Sequence, residues 1–373
     1  MPKIFELFGF PTEIQTKEAI ECRKMAKCPF MGGECDGGGN RYASQIDLGN
    51  NPTLKNFFDN RQYVASGVCS IQLKDGESPW IVCPRRLLVL GREKAVNRAN
   101  QSDTESQILK LLNYPIGTKL GVWSEVKLMI EEVSDVGEKS FHYTFDYVVV
   151  PIGKASETEI EKLLGGTWTN WRKLFEKAGY SIARYENLDF VEDFPIGSPY
   201  IIEIMTSSTS GGNKLNRTTI PQSFEDAILG KPHVAPGINK RQVWARMVSQ
   251  LIVKSEVAMS WGGKALWLIQ DNLADYITAS TALDLRKFVS QNLSEVNLLS
   301  FSYGDKQPNL GGIIELRLSN LFSGQISANA KDAKPSFSDM IRTPLLPPIK
   351  SLILRLAEKK PINQIIVKQI PTN

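Results

Sequence analysis

The cysteines of this chain are crowded at one end, and their placement constrains the fold more than any other feature of the sequence. All five lie within the first 83 residues, and the rest of the 373-residue chain contains none. This asymmetry indicates an N-terminal unit with a construction of its own, which we predict over residues 1–95.

Four of these cysteines lie at turns or beside the ends of predicted strands: Cys28, Cys35, Cys69 and Cys83. Two interpretations fit this pattern. Four thiolates can cage a tetrahedral metal ion and hold together a unit too small to be stable through its hydrophobic core alone. Free cysteines are also among the most buried residues of ordinary cores, so four buried thiols without a metal fit as well. Cys22 lies on a helix predicted over residues 12–26 and has no partner under the first interpretation.

Length and composition predict one large domain or two ordinary ones with a substantial core. The chain is 42% hydrophobic and 23% charged. No stretch approaches the roughly 18–20 consecutive apolar residues of a membrane span. The first residues also lack the basic and apolar regions of a signal peptide. We therefore expect a cytoplasmic protein without a membrane partner.

The net charge of +4 is too small to indicate a nucleic-acid partner, but the charge is unevenly distributed. Residues 209–254 contain seven basic and two acidic side chains, and residues 331–373 contain eight basic and three acidic side chains. Two basic segments in a nearly neutral chain are compatible with a surface that binds a polyanion. A solvated basic surface without a partner explains the same charges equally well.

Helical and strand patterns alternate from about residue 100 onward, which predicts an α/β core with a mixed β-sheet over residues 96–330. The longest helix is predicted over residues 239–259, and strands are predicted around residues 141–151, 201–205, 264–270 and 312–320. The last segment, residues 331–373, is basic and contains an amphipathic helix near residues 350–360.

Two isolated acids interrupt predicted apolar strands, Asp146 in YTFDYVVVP and Glu203 in YIIEIMT. Hydrolysis of a phosphodiester with a divalent cation needs at least two convergent carboxylates and commonly a lysine that orients the attacking water. In a strand, a lysine two residues after the acid would share its face. That position is Met205, which offers neither a charge nor an amide.

Two further acids are candidates for the same site. Asp193 lies ten residues before Glu203 and is the alternative to Asp146 as the first acid. Glu125, in VWSEVKL, would supply another carboxylate from an adjoining strand, although such a residue is more often a solvated strand acid.

Six short pieces, taken in order, resemble the NotI-type restriction endonucleases, a branch of the PD-(D/E)XK nuclease fold with a four-cysteine metal site near the N-terminus. They are CPF at 28–30, GVC at 67–69, WIVCP at 80–84, FDY at 145–147, EI at 203–204, and KR at 240–241 on the longest predicted helix. No single piece is specific to this family, but the order of the six pieces together with the four cysteines is specific to it.

The resemblance implies a restriction-endonuclease-like mixed sheet flanked by helices, with a small metal-pinned N-terminal subdomain. The four cysteines would bind structural iron or zinc, and Asp146 and Glu203 would hold catalytic Mg. The activity would be site-specific cleavage of double-stranded DNA by a homodimer, beside a cognate DNA methyltransferase in a restriction-modification system. Residues 152–195 look like an insertion between the two acid-bearing strands.

The same resemblance leaves the motif lysine open. This family already has glutamine in place of that lysine, and Met205 departs further. Three basic residues are candidates for contacts to DNA phosphates: Lys214, Lys240 and Arg241. The alternative is a non-catalytic DNA-binding protein on a degenerate nuclease fold, which Met205 favours. A third hypothesis is an α/β enzyme unrelated to DNA, whose cysteines are simply buried.

Overall fold

A computed structural model describes residues 1–38, 45–90, 101–134, 137–280, 285–304, 308, 310–326 and 346–367. The side chains at 102–103, 132–134 and 137–140 are not part of that description. The predicted boundaries near residues 95 and 330 lie outside the described residues, as does the C-terminal segment up to residue 345.

The described part of the chain contains ten α-helices: α1 (Lys17–Lys24), α2 (Pro52–Phe57), α3 (Pro84–Leu87), α4 (Ser102–Leu112), α5 (Glu157–Leu164), α6 (Trp168–Ala178), α7 (Ile220–Ile228), α8 (Lys240–Ser260), α9 (Asp271–Ser280) and α10 (Ile349–Ala357). Its strands are β1 (Lys3–Leu7), β2 (Phe10–Pro11), β3 (Lys27–Cys28), β4 (Gly33–Glu34), β5 (Gln45–Asp47), β6 (Tyr63–Ala65), β7 (Val68–Gln72), β8 (Trp80–Ile81), β9 (Lys119–Ser134), β10 (Gly137–Ser156), β11 (Ile182–Tyr185), β12 (Leu188–Pro195), β13 (Tyr200–Ile204), β14 (Lys264–Gln270), β15 (Val296–Ser302), β16 (Arg317–Gly324) and β17 (Asn363–Ile366).

The N-terminal residues form a four-stranded sheet in the order β2-β1-β7-β8, beside the two-stranded pairs β3-β4 and β5-β6. The predicted helix start at Thr12 is wrong, because α1 begins after Thr16, whose hydroxyl accepts the Ala19 N–H. The preceding residues are held in a turn by the guanidinium of Arg23, which donates to the carbonyls of Pro11 and Ile14 at 2.6 and 2.8 Å. The Pro11 carbonyl also accepts the Ile14 N–H, which closes this turn before the helix begins.

The main sheet has the order β17-β9-β10-β13-β14-β15-β16. The pairs β13/β14 and β14/β15 are parallel, and the other pairs along this path are antiparallel. The predicted mixed α/β architecture is thereby confirmed. Both faces are covered: Ile201 packs with residues of α8, α9 and α10, whereas Ile202 and Ile204 pack with residues of α3 and α4. Burial on both faces explains why these strands are apolar almost throughout.

Residues 152–195 extend the main sheet at one side. The C-terminal part of β10 pairs with β12, and β12 pairs with β11. Helices α5 and α6 pack around Phe175, which is fully buried. A capping box between Ser156 and Glu159 starts α5 where β10 ends. Residues 346–367 join the same body, because α10 packs both against the helix-covered face around Ile201 and against the apolar cluster around Phe175, and β17 pairs with β9.

The last long strand of the sheet begins later than its apolar pattern predicts. We predicted a strand over residues 312–320, whereas β16 spans Arg317–Gly324. Ile313, Ile314 and Leu316 before it are buried, but the carbonyl of Ile314 accepts a hydrogen bond from the guanidinium of Arg86 instead of a neighbouring strand. Of the helices in the described ranges, none combines the length and apolarity needed to cross a membrane.

Candidate active site

Strands β10 and β13 stop pairing at the level of the two predicted acids. The ladder runs from Val149 opposite Tyr200 to Tyr147 opposite Ile202, which places Asp146 next to Glu203. Beyond that point the backbone N–H groups donate to side-chain carboxylates instead of to the neighbouring strand. The Asp146 N–H donates to Glu203 Oε1 at 3.3 Å, and the Ile204 N–H donates to Asp146 Oδ2 at 2.8 Å. The carboxylates thus satisfy buried backbone donors that the parting strands would leave unpaired.

The two carboxylates differ in exposure. Glu203 is only 2% exposed, whereas Asp146 is half-buried. Strand β10 also loses its regular alternation here, because Phe145 and Val148 pack on the α8 side while Tyr147 packs on the other. Glu125, across from this level on β9, has a φ of +52°, which L-residues seldom adopt. The irregular backbone leaves Asp146 as the member of the pair that solvent can reach.

A lysine from a distant helix completes the pair. The Nζ of Lys254, on α8, lies 2.6 Å from Glu203 Oε2 and donates to the carbonyl of Thr144 at 2.7 Å. Its side chain is 8% exposed and lies 5.6 Å from the ring centroids of both Phe145 and Trp267. A buried carboxylate and a buried ammonium compensate each other's charge, which is the condition under which either is tolerated in a protein interior.

Sequence reasoning missed this role, although a signal was present. The buried positions of α8 include Val243, Met247, Leu251 and Lys254, which follow one another at helical spacing. A lysine on an otherwise apolar stripe requires a buried acid as partner, and Glu203 was the apolar-strand acid without one. Met205 shares the α8 side of the sheet with Ile201 and packs into the apolar cluster there.

The environment shifts the titration of Glu203. Burial raises the pKa of its carboxyl from an ordinary 4.5 to about 7, Lys254 opposes the increase, and Asp146 adds to it. A group with a pKa near neutral pH changes protonation state in the physiological range, which is common at functional sites.

The other two candidate acids do not join this cluster. Asp193 lies beside the pairing of Gly153 with Phe194, where Lys119 donates to one of its oxygens at 2.6 Å and Gln364 donates to the other at 2.8 Å. Partial burial raises the pKa of the Asp193 carboxyl, but these two hydrogen bonds more than offset that increase and hold the pKa below its usual range. The side chain of Glu125 is 59% exposed, and its Oε1 lies 4.0 Å from Nη2 of Arg85.

None of the three candidate phosphate contacts is among the described hydrogen-bond or ion-pair partners of Asp146 and Glu203. Lys214 and Arg241 are exposed, and the Nζ of Lys240 lies 4.5 Å above the ring of Trp80. Lys240 starts α8, so by the rise of an α-helix it lies roughly 21 Å along the axis from Lys254. Lys240 and its neighbour Arg241 therefore cannot share one phosphate with the carboxylates.

The hydroxyl-rich segment after β13 is tied down close to this basic helix start. The Ser207 N–H donates to the Ile81 carbonyl, and the Ser210 N–H donates to the Gly237 carbonyl. Thr209 forms an isolated bridge with Ile238, just before α8. The segment is thus an ordered part of the surface beside Lys240 and Arg241.

The four predicted metal-binding cysteines are brought together in the N-terminal unit. The Cys69 thiol hydrogen-bonds to Cys83, and Cys83 also interacts electrostatically with Cys28 and Cys35. Backbone N–H groups point at all four sulfurs: those of Phe30 and Met31 at Cys28, Gly37 and Gly67 at Cys35, Gly9 at Cys69, and Arg85 and Arg86 at Cys83.

The protonation of these thiols follows from their surroundings. Burial raises the pKa of Cys28 and raises that of Cys35 to about 12, whereas the hydrogen bond from Cys69 lowers the pKa of Cys83. Among the described residues, no three His, Cys, Asp or Glu side chains are already arranged as a metal site. The sulfurs are therefore neighbours that an ion would still have to deprotonate and draw together.

No protein-family model matches the chain, and comparison with curated proteins gives no match. What the chain does must be inferred from its own residues.

Proposed function

We propose that the chain is a type II restriction endonuclease that hydrolyses double-stranded DNA with Mg. The observation that carries this proposal is the meeting of Asp146, Glu203 and Lys254 where β10 and β13 part. Two carboxylates and an amine are the set that metal-assisted phosphodiester hydrolysis uses, and here they come from two neighbouring strands and a helix. The resemblance of the sequence to NotI-type enzymes supports the same activity.

The donor set fits a hard divalent cation, because Asp146 and Glu203 present carboxylate oxygens. When bound, Mg would polarise the scissile phosphate and lower the pKa of the attacking water. Lys254 holds Glu203 in place and offsets its charge in the absence of metal. Glu203 and Thr144 take two of its three N–H groups, and the third would donate to a phosphate oxygen, so Lys254 would supply the group that Met205 lacks.

The direct test is cleavage of a long mixed-sequence duplex, with Mg and with a chelator, by the wild type and by Asp146→Ala and Glu203→Ala. We expect discrete fragments that require Mg and disappear in both variants. Asp193→Ala is the matched control, since its carboxylate is engaged by Lys119 and Gln364, and it should cleave like the wild type. Intact DNA with a gel shift would support the non-catalytic DNA-binding alternative, and intact DNA without one would remove DNA from the proposal.

The basic residues suggest how DNA would be held. Lys214, Lys240 and Arg241 would contact backbone phosphates, which contributes salt-sensitive affinity without sequence choice. A homodimer on a palindromic site is expected, because two-fold protein symmetry matches two-fold DNA symmetry. A cognate DNA methyltransferase would protect the host's own sites.

The four cysteines would hold structural iron or zinc. The N–H groups aimed at each sulfur fit thiolates, which need hydrogen-bond donors once they lose their protons. We expect one ion per chain by elemental analysis and its loss in Cys69→Ser. Cys22→Ser is the control, because Cys22 lies on α1 outside the proposed set of four ligands and is only partly buried beside Cys28, and it should retain the ion. An ion retained by Cys69→Ser would contradict this assignment.

Mg binding is expected to depend on pH through Glu203. Because its pKa is about 7 without metal, a proton competes with the cation below that pH. The affinity for Mg, measured calorimetrically, should fall about tenfold per pH unit below 7 and level off above it. A flat affinity between pH 5.5 and 7.5 would show that Glu203 is not a ligand.

The same shift makes a prediction for stability without Mg. A carboxyl whose pKa is raised by folding stabilises the protein fully below its unfolded value, near 4.5, and loses that contribution as the pH rises through about 7. The urea midpoint of the wild type should therefore fall over this window relative to Glu203→Gln, which stays neutral. Parallel curves for the two proteins would exclude the shift.

A further inference from the structure

Arg85 joins the cysteine cluster to the strand that carries Asp146. Cys83 caps α3, and Arg85 is the second residue of that helix. Its Nε and Nη2 both lie 3.0 Å from Asp36 Oδ2, and Asp36 directly follows Cys35. Both members of this ion pair are therefore attached to the chain within two residues of a cysteine.

The other side of the same guanidinium faces the main sheet. The guanidinium of Arg85 interacts with the phenol of Tyr147, which is 2% exposed and is the next residue after Asp146 on β10. Its Nη2 also lies 4.0 Å from Glu125 Oε1, across from Asp146 on β9. Arg85 therefore lies between Asp36, in the cysteine loop, and two residues beside Asp146: Tyr147 on the same strand and Glu125 on β9.

The chemistry of arginine suits this position. The Arg85 side chain is 18% exposed, so its charge depends on the partners that the protein supplies. A planar guanidinium can donate to several acceptors in fixed directions, which a lysine ammonium cannot reproduce. Movement of the cysteine loop would therefore displace Arg85 and, with it, Tyr147.

We propose that Arg85 is a positioning residue that transmits the arrangement of the four-cysteine cluster to Asp146, so that the state of the cluster sets the Mg requirement of the carboxylate pair. The effect on the Mg requirement rests on the proposed function. The mechanical link between the cluster and β10 is independent of it.

The first measurement follows the link itself. Backbone hydrogen exchange of residues 143–149 should accelerate in Arg85→Gln and in Cys69→Ser. Arg61→Gln is the matched control, because Arg61 pairs at 2.8 Å with Glu34, next to Cys35, on the N-terminal unit. It should leave this exchange unchanged. Unchanged exchange in Arg85→Gln would overturn the inference, whatever the protein does to DNA.

The second measurement follows Mg. Arg85→Gln should raise the Mg concentration for half-maximal cleavage about tenfold, the low end for residues that orient metal ligands, while the rate at saturating Mg changes less. Arg85→Lys, which keeps the charge, should recover only part of the effect. In the double variant with Cys69→Ser the effects should not add, since both act on one contact. Additive effects would overturn the inference.

These results also separate the two proposals. If the wild type shows no Mg-dependent cleavage while exchange at residues 143–149 responds as expected, the proposed function fails and the link stands. If cleavage requires Mg but neither exchange nor Mg demand responds to Arg85→Gln, the proposed function stands and the link fails.

Discussion

Lys254→Met is expected to lower the single-turnover rate of DNA cleavage at saturating Mg by at least about a hundredfold, the lower range for loss of a group that handles protons or charge at the reacting centre. The amine lies 2.6 Å from Glu203, and no other ammonium or guanidinium of the described residues pairs with that carboxylate. Its removal also leaves Glu203 buried beside Asp146 without a counter-charge, so the pKa of Glu203 should increase further.

The chain offers a control and a rescue for this variant. Lys264→Met removes a half-buried lysine whose Nζ donates to the Leu293 carbonyl at the start of β14, and it should leave the rate unchanged. Met205→Lys, added to Lys254→Met, places an amine on the sheet face that Glu203 shares and should restore part of the rate. Full cleavage by Lys254→Met would mean that its pair with Glu203 is purely structural.

Arg86→Met is expected to destabilise the protein by roughly 3–5 kcal/mol, because it leaves a buried carboxylate without its cation. Arg86 donates to both oxygens of Glu6 at 3.0–3.1 Å, and the two side chains are 2% and 0% exposed. Ser70 and Tyr303 donate to Glu6 as well, at 2.8 and 2.7 Å. Since Tyr303 follows β15, this network fastens the N-terminal unit to the main sheet.

The measurement is the urea midpoint, compared with Arg61→Met. The Arg61–Glu34 pair is partly solvated, so its loss should cost only about 0–1 kcal/mol. Glu6→Gln combined with Arg86→Met should be less destabilising than Arg86→Met alone, because no buried charge then lacks a partner. Equal midpoints for Arg86→Met and Arg61→Met would contradict the role of the network.

Local pattern was a good guide to the individual elements. The helical periodicity over residues 239–259 corresponds to α8, and the apolar run at 264–270 corresponds to β14. The predicted element boundaries were wrong where an arginine side chain hydrogen-bonds to backbone carbonyls that the pattern had assigned to a helix or a strand. Arg23 holds the turn before α1, and Arg86 takes the Ile314 carbonyl before β16. Arg86 is 228 residues from Ile314, and even the Arg23 contacts span 9 and 12 residues, which is more than the three or four residues over which helical periodicity is read.

The candidate site divides in the same way. Asp146 and Glu203 could be selected from sequence because an acid in an apolar strand is costly and therefore conspicuous. Their adjacency requires the antiparallel register of β10 with β13, which is set by the packing of the whole sheet.

By itself, then, the sequence determined the elements with a strong local period, the mixed α/β class, and the residues whose burial would demand a partner. Only the tertiary structure decided which partner each one received. Lys254 is 51 residues from Glu203, and Arg85 is 62 residues from Tyr147. A charged residue in an apolar segment indicates that a counter-charge is needed, but packing in three dimensions determines which residue supplies it.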